Sequence, residues 1–290
     1  MAALSSDVIA KCFLAACNAE LTALKPGNVH IHAAGHGMDV THFKAAAEAC
    51  APIIGHSSLT LGLRIKNAVA SSMAAAGCNT NLGIILLCAP IAAAAMRTEP
   101  VSLFERVKCE LAELRPNDAG FVYAAIRQAN PGGLGTTEEA DVAQSPTMPL
   151  LDAMALAAPR DRIAANYVSG LRDIFEDHLP LLIQISGGAS NNNGIPPSRD
   201  DAVATLYMSL LARYPDSHIR RKFGMETSAH VQRLAQAART CWTPFVQPAS
   251  YAELMALDRI LKTERWKPGT TADFVVATLF AGALEDQFHH

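Results

Sequence analysis

The sequence predicts an all-α fold, a single multi-helix globular domain over residues 1–290, on three observations. Half of the chain is hydrophobic while only 6% is aromatic, so the apolar surplus is Ala and Leu, good helix formers, rather than the Val, Tyr and Phe that sheets favour. Apolar residues recur at helical spacing between Gly, Pro and capping residues. No convincing strand run, internal repeat or low-complexity boundary interrupts that pattern.

From the N-terminus, Val8, Ile9, Cys12, Phe13, Ala16 and Leu21 mark a helix over 5–24, with Ser5 or Ser6 as its cap and Lys25-Pro26-Gly27 as its terminator. Residues 27–40 are rich in Gly and His and carry no periodicity. Thr41 restarts a helix towards Ser57, and another over 59–76 closes at Gly77. The most apolar run, Gly83 to Met96, is a buried helix despite Pro90; at 14 residues it is short of the roughly 20 a membrane span needs. Ser102 with Glu105 opens a helix to about 113, and Thr136 with Glu139 opens a short one. Asn130-Pro131-Gly132-Gly133 is a turn and 141–149 a loop. A long amphipathic helix is expected over 161–184, then a polar surface loop from Ser186 to Ser198, a candidate lid. Helices at about 199–213, 218–240, 250–264 and 271–285 complete a count of ten to twelve.

Charge and cysteine usage narrow the function. With 24 basic and 27 acidic side chains the net charge is -3, which advertises neither a nucleic-acid surface nor a polybasic membrane arm. The 7 cysteines are odd in number, sit in apolar helical contexts and show no C-x-x-C spacing. That usage fits a reducing cytosol, without disulfides or zinc. The N-terminus lacks the pattern of a signal peptide, because Asp7 and Lys11 interrupt it.

Four places break the rhythm of apolar helix and polar loop. The first, Glu20 to Asp39, joins a Lys-Pro-Gly turn to three histidines (His30, His32 and His36) and to glycines that allow close backbone approach. The second, Gly77-Cys78-Asn79-Thr80-Asn81-Leu82-Gly83, opens the buried helix, where unpaired N–H groups and the positive dipole end suit a phosphate. Asn79 is equally a standard N-cap. The third is Pro215-Asp216-Ser217-His218 with Arg220, Arg221 and Lys222, in which Asp216 or Ser217 also serves as a cap. The fourth is Lys267-Pro268-Gly269-Thr270-Thr271-Ala272-Asp273, with Asp273 in a first helical turn. Together they supply cations, helix starts and carboxylates, the kit that a nucleoside triphosphate with Mg²⁺ requires. No P-loop, G-x-S-x-G, H-E-x-x-H or G-x-G-x-x-G motif is present.

In this order the four segments resemble the triphosphoribosyl-dephospho-CoA synthase family over nearly the whole chain. K-P-G-N-V-H…G-H-G-M-D is similar to its Pro-Lys-Pro-Gly-Leu-Val-Asp…Gly-Ala-His-x-Asp-Met segment, and G-C-N-T-N-L-G to its Gly-Val-Asn-Thr-His-Lys-Gly. P-D-S-H-I-R-R-K-F-G resembles Asp-Thr-Asn…Arg-Gly-Gly, and K-P-G-T-T-A-D resembles Ser-Pro-Gly-Gly-Ser-Ala-Asp. The chain departs where Asn81-Leu82 replace His-Lys and His30 replaces an Asp. These departures, with D-R-I-A-A-N-Y-V-S-G-L at 161–171, resemble a shorter branch found in archaea and methylotrophs.

The resemblance implies an all-α transferase that joins the ribose C1 of ATP to a ribose hydroxyl of dephospho-CoA in coenzyme biosynthesis, expelling adenine. It implies catalytic roles for Glu20, His36 and Asp216, and substrate or phosphate contacts for Lys25, Asn28, His30, Asn79, Thr80, His218 and Lys222. Asp39 and Asp273 are its implied Mg²⁺ ligands. The partners are a nucleotide and a hydroxyl acceptor, in a cytoplasmic protein, homo-oligomeric or not, that binds neither nucleic acid nor membrane. Two alternatives stand beside it: α-ribosyl phosphate transfer from phosphoribosyl diphosphate in tetrahydromethanopterin-type coenzyme biosynthesis, and non-catalytic binding of a nucleotide or pterin.

Overall fold

The computed structural model describes residues 3–133, 141–188 and 196–289. Fourteen α-helices and no strand appear among them, with only two isolated bridges, His30 to Ala33 and Gly35 to Met38. The helical class expected from composition is what the chain adopts.

The N-terminal half is built around one wholly apolar helix. α1 (Ser6–Thr22), α2 (Val40–Ile54) and α3 (Leu61–Ala76) pack in sequence, and α4 (Leu82–Ala95) runs beneath them with Ile84 to Ala95 all buried. Ser5 caps α1 and the left-handed Gly77 closes α3, as the sequence indicates. Pro90 lies inside α4 and cannot donate to the carbonyl of Leu86, four residues earlier. The hydroxyl of buried Tyr167 takes that place, donating to Leu86 O at 2.7 Å. An unpaired buried carbonyl would cost about 1–3 kcal/mol, so this one bond lets a proline sit in the most buried helix.

α5 (Leu103–Ala112) starts at the predicted Ser102 cap. α6 (Asp118–Ala129) and α7 (Leu150–Ala157) were not expected, since both are short and rich in Ala. The short helix expected from Thr136 lies outside the described residues. The single helix expected over 161–184 is three pieces: α8 (Arg162–Ser169), a π-helical turn Asp173–His178, and α9 (Leu179–Gly188). The break falls at Gly170 and Leu171, both left-handed, and Pro180 follows in the first turn of α9. Ser186 to Gly188, expected to open a surface loop, are instead helical, and most of the remainder of that expected loop lies outside the described residues.

α10 (Arg199–Arg213) matches its expected span. The helix expected over 218–240 is divided by the left-handed Gly224 into α11 (Ser217–Phe223) and α12 (Met225–Ala237). α13 (Tyr251–Thr263) and α14 (Gly269–Phe288) end the chain, and α14 packs on α1, α4 and α10 as a central strut. These breaks and the two unexpected helices raise the count above ten to twelve.

Candidate active site

A cleft of about 1340 Å³ opens between α4, α6, α7, α8 and α11, and the segment from Lys262 to Asp273. Two Lys-Pro-Gly turns, remote in sequence, meet at its base. The left-handed Gly27 leaves no room for a β-carbon, which would come within 2.9 Å of Leu261 and Pro268. Gly27 N donates to Asp258 Oδ1 at 2.8 Å, Asn28 Nδ2 donates to Pro268 O at 3.2 Å, and Tyr207 donates to Pro26 O at 2.7 Å. Only glycine accepts both this closeness and this backbone angle.

That platform carries His36. Gly35 and Met38 exchange backbone bonds of 3.0 and 2.9 Å across a two-residue turn in which His36 and Gly37 both have positive φ. Such a hairpin favours Asn-Gly, and a histidine held there is conformationally costly. His36 Nε2 donates to Gly27 O at 2.8 Å. A carbonyl can only accept, so Nε2 carries the proton of the neutral ring and Nδ1 keeps its lone pair. Burial lowers the His36 pKa, as do Lys267, Lys262 and Lys222, against the opposing bond to Gly27. His36 lines the cleft as a neutral imidazole at pH 7.

Asn79, His218, Lys222 and Asp273 line the same cleft. Asn79 Oδ1 accepts from Leu82 N at 3.3 Å, but the N-cap of α4 is Asn81, which makes no side-chain cap bond, rather than the Asn79 expected from the sequence. His218 is pushed down to about 3 by burial and by Arg221, Lys267 and Lys222, and its Nε2 is buried without a partner among the described residues. The Asp273 carboxylate lies against Gly83 at the start of α4, where any β-carbon would overlap it. The helix end expected to receive a phosphate thus abuts a carboxylate of the protein itself. Burial raises the Asp273 pKa well above the usual range, with Lys267 opposing.

The other expected residues lie off the cleft wall. Glu20 and Lys25 form a buried ion pair; burial pushes both towards neutrality, raising Glu20 and lowering Lys25. Asp216 is buried and spent on four donors, the backbones of His218, Ile219 and Thr271 and the Thr271 hydroxyl, at 2.8–3.1 Å. Its carboxylate joins the start of α11 to that of α14. Burial raises its pKa, the four donors opposing. Buried Asn28 bonds to Pro268 as above, and buried His30 sits 3.4 Å from Asp258 with no hydrogen bond made by either ring nitrogen among the described residues. Thr80 is buried. Asp39 is the N-cap of α2, held down at about 2 by the Thr41 hydroxyl and His42, with its side chain 49% exposed. It does not share a site with Asp273 on the cleft wall.

The cations of the wall exceed those expected. Arg160, Arg220, Arg221, Lys262, Arg265 and Lys267 join Lys222 there, against Asp141, Asp161 and Asp273. Arg221 Nε donates to Gly132 O at 3.1 Å, and its Nη1 lies 3.3 Å from Asp161, which also caps α8. Lys267 is lowered to about 8 by burial, with Asp273 and Glu20 opposing. The available signal for Lys267 was the second Lys-Pro-Gly; for Asp161 it was the D-R-I-A-A-N segment.

An all-helical shell around a cation-walled cleft that carries an imidazole is the kind of site that receives a polyanionic small molecule. Residues 6–290 match the family model described as "CitG: ATP:dephospho-CoA triphosphoribosyl transferase", and the chain belongs to that family of pentosyl transferases. The family's activity, transfer of a phosphorylated ribosyl group from ATP in coenzyme biosynthesis, is the one that the motifs imply. A crystal structure described as "putative triphosphoribosyl-dephospho-coA synthase from Archaeoglobus fulgidus" is 24% identical, with a TM-score of 0.62 over 83% of this chain and 98% of that one. That likeness shows the shared fold. No curated protein sequence matches the chain. Among the described residues no helix is long and apolar enough to cross a membrane.

Proposed function

We propose that this cleft transfers a triphosphoribosyl group from ATP to a hydroxyl of dephospho-CoA, with His36 as the general base. The observation that carries this reading is the bond from His36 Nε2 to Gly27 O, which leaves Nδ1 as the free ring nitrogen, on the wall of a cleft rich in cations. The bond from ribose C1 to adenine breaks, and C1 bonds to the acceptor oxygen. The acceptor's proton passes to His36 Nδ1, adenine leaves with the electrons of its bond and takes one proton from water, and His36 returns its proton to the solvent. Positive charge grows on the ribose as this bond breaks; that charge, together with Lys267, favours ionised Asp273 against the burial that raises its pKa, and the carboxylate in turn lowers the energy of the charge. Arg221, Lys222 and Lys267 hold the polyphosphate, Arg221 being aimed by Asp161 and Gly132.

Mg²⁺ fits this arrangement as a companion of the triphosphate. Asp273 is a cleft carboxylate with no hydrogen bond among the described residues, and no group of three or more His, Cys, Asp or Glu there forms a protein cage. Mg²⁺ is commonly held by one or two carboxylates plus substrate phosphates. When bound it neutralises phosphate charge, and Asp273 is the residue that would hold it. The buried thiols of Cys17, Cys50 and Cys88 accord with a reducing cytoplasm.

The test offers ATP labelled in the ribose, with dephospho-CoA and Mg²⁺, to the native chain and to His36→Ala. The expected result is labelled triphosphoribosyl product and free adenine from the native chain, with turnover lost in the variant. Label arriving only from phosphoribosyl diphosphate on a ribitol-bearing pterin would replace this reading with the tetrahydromethanopterin one. Nucleotide binding without any glycosidic product would make the protein a binder.

A further inference from the structure

The cleft has two kinds of wall, and they come from different elements. Its cations lie mainly on α11 and the Lys262–Lys267 stretch, while the face of α7 is aliphatic up to its C-terminal end, where Arg220 donates to Pro159 O at 2.9 Å and Arg160 joins the lining. Leu150, Ala153, Met154 and Ala157 of α7 fall at i, i+3, i+4 and i+7, one face of that helix, and all four line the cleft. Leu86 of α4 and Ile163 of α8 join them. α7 packs on α6 and α8, and α4 on α6 and α8, so these faces form one continuous surface. The cleft volume, about 1340 Å³, exceeds what a single drug-sized ligand fills, commonly 300–1,000 Å³.

We infer that the α7 face seats the uncharged, flexible arm of the hydroxyl acceptor while the donor polyphosphate lies on the cationic wall. This deepens the transferase reading above and rests on it. Charge complementarity assigns the two ends, since a polyphosphate against Leu150 and Met154 would lose its water without gaining a partner. The make-up of the wall separates an arm from a nucleobase. Bases bind on aromatic stacking platforms; the aromatic side chains of the cleft, Tyr123 and Phe223, stand on α6 and α11, whereas the face of α7 is Leu, Met and Ala and offers no such platform. Dephospho-CoA carries on its diphosphate a flexible, uncharged arm of short alkyl segments joined by amides, and ADP is the same molecule without it.

The experiment measures binding of dephospho-CoA, ADP and ATP by calorimetry to the native chain and to Ala157→Trp. Ala157 is partly exposed and lines the cleft at the margin of the core, so a larger side chain there takes up cleft space. The native chain should bind dephospho-CoA at least tenfold more tightly than ADP. Ala157→Trp should cut dephospho-CoA affinity about tenfold relative to ATP, the loss of roughly two buried methylenes. Ala157→Leu, a smaller plug, should move the ratio in the same direction and stands in if the tryptophan chain does not fold. Equal affinity for dephospho-CoA and ADP, or an unchanged ratio in a folded variant, overturns the inference. A binding ratio that behaves as stated without any transfer overturns the transferase reading and leaves the arm's seat in place.

Discussion

Gly83→Ala separates the chemistry of Asp273 from its packing. A β-carbon at Gly83 would stand 2.5 Å from Asp273 Cγ, whereas carbon atoms at ease are 3.5–4.0 Å apart. α4 and α14 are packed together in the core and cannot part. The carboxylate must therefore retreat by about 1 Å or turn to another rotamer. Overpacking costs about 1–3 kcal/mol, and replacing a helical Gly with Ala returns about 1 kcal/mol. The net loss is about 0–2 kcal/mol, a fall in Tm of up to about 4 °C. A displacement of about 1 Å at a reacting centre lowers turnover about 100-fold, close to 2.7 kcal/mol of barrier. The assay pairs thermal unfolding with kcat/KM in the ATP-dependent transfer. A variant that melts near the native temperature and turns over like the native chain refutes the placement of Asp273 in the chemistry.

Other expected outcomes follow from the same geometry. kcat should fall as pH drops below the ordinary imidazole range, because His36 acts unprotonated and its pKa lies below 6.5; His36→Gln should remove that acid limb together with most of the rate. Above about pH 8, where Lys267 loses its charge, the KM for ATP should rise. Lys267→Arg, charged at every pH used, should abolish that rise, and a persisting alkaline limb would exclude Lys267 as its source. Lys25→Met leaves Glu20 buried without its cation and should destabilise the fold by about 3–5 kcal/mol, while the double change Glu20→Leu with Lys25→Met should regain most of it; chemical denaturation measures both. In Asp216→Asn the amide nitrogen faces donors at one of its two positions, so stability should fall by about 1–3 kcal/mol, read by the same method.

The helices were legible wherever a local signal set a boundary. Ser5, Ser102 and Gly77 cap or close helices in the structure as they do in the sequence. α6 and α7 escaped because their ends lack such marks: neither Asn117 nor Pro149 makes a side-chain cap bond. The expected helices over 161–184 and 218–240 ran through Gly170 and Gly224, whose left-handed angles only the packed chain imposes.

On the cleft wall, Asn79, His218, Lys222 and Asp273 come from segments marked by more polar residues than capping needs, and His36 from the Gly-x-His setting of the resemblance. Glu20, Lys25 and Asp216 stand off that wall, each engaged with buried partners. A charge facing a ligand and a charge satisfied by a buried neighbour look alike in one dimension, and only burial and partner distances separate them. Asp39 followed its local chemistry as an N-cap. Arg160, Lys262 and Arg265 carry no local motif and reach the wall only through the packing of distant helices.

The most direct measurement is a crystal structure of the chain with a non-hydrolysable ATP analogue and Mg²⁺. The account predicts phosphates on Arg221, Lys222 and Lys267, with the ribose C1 between His36 and Asp273. Nucleotide bound elsewhere, or phosphates lying along the α7 face, would contradict it.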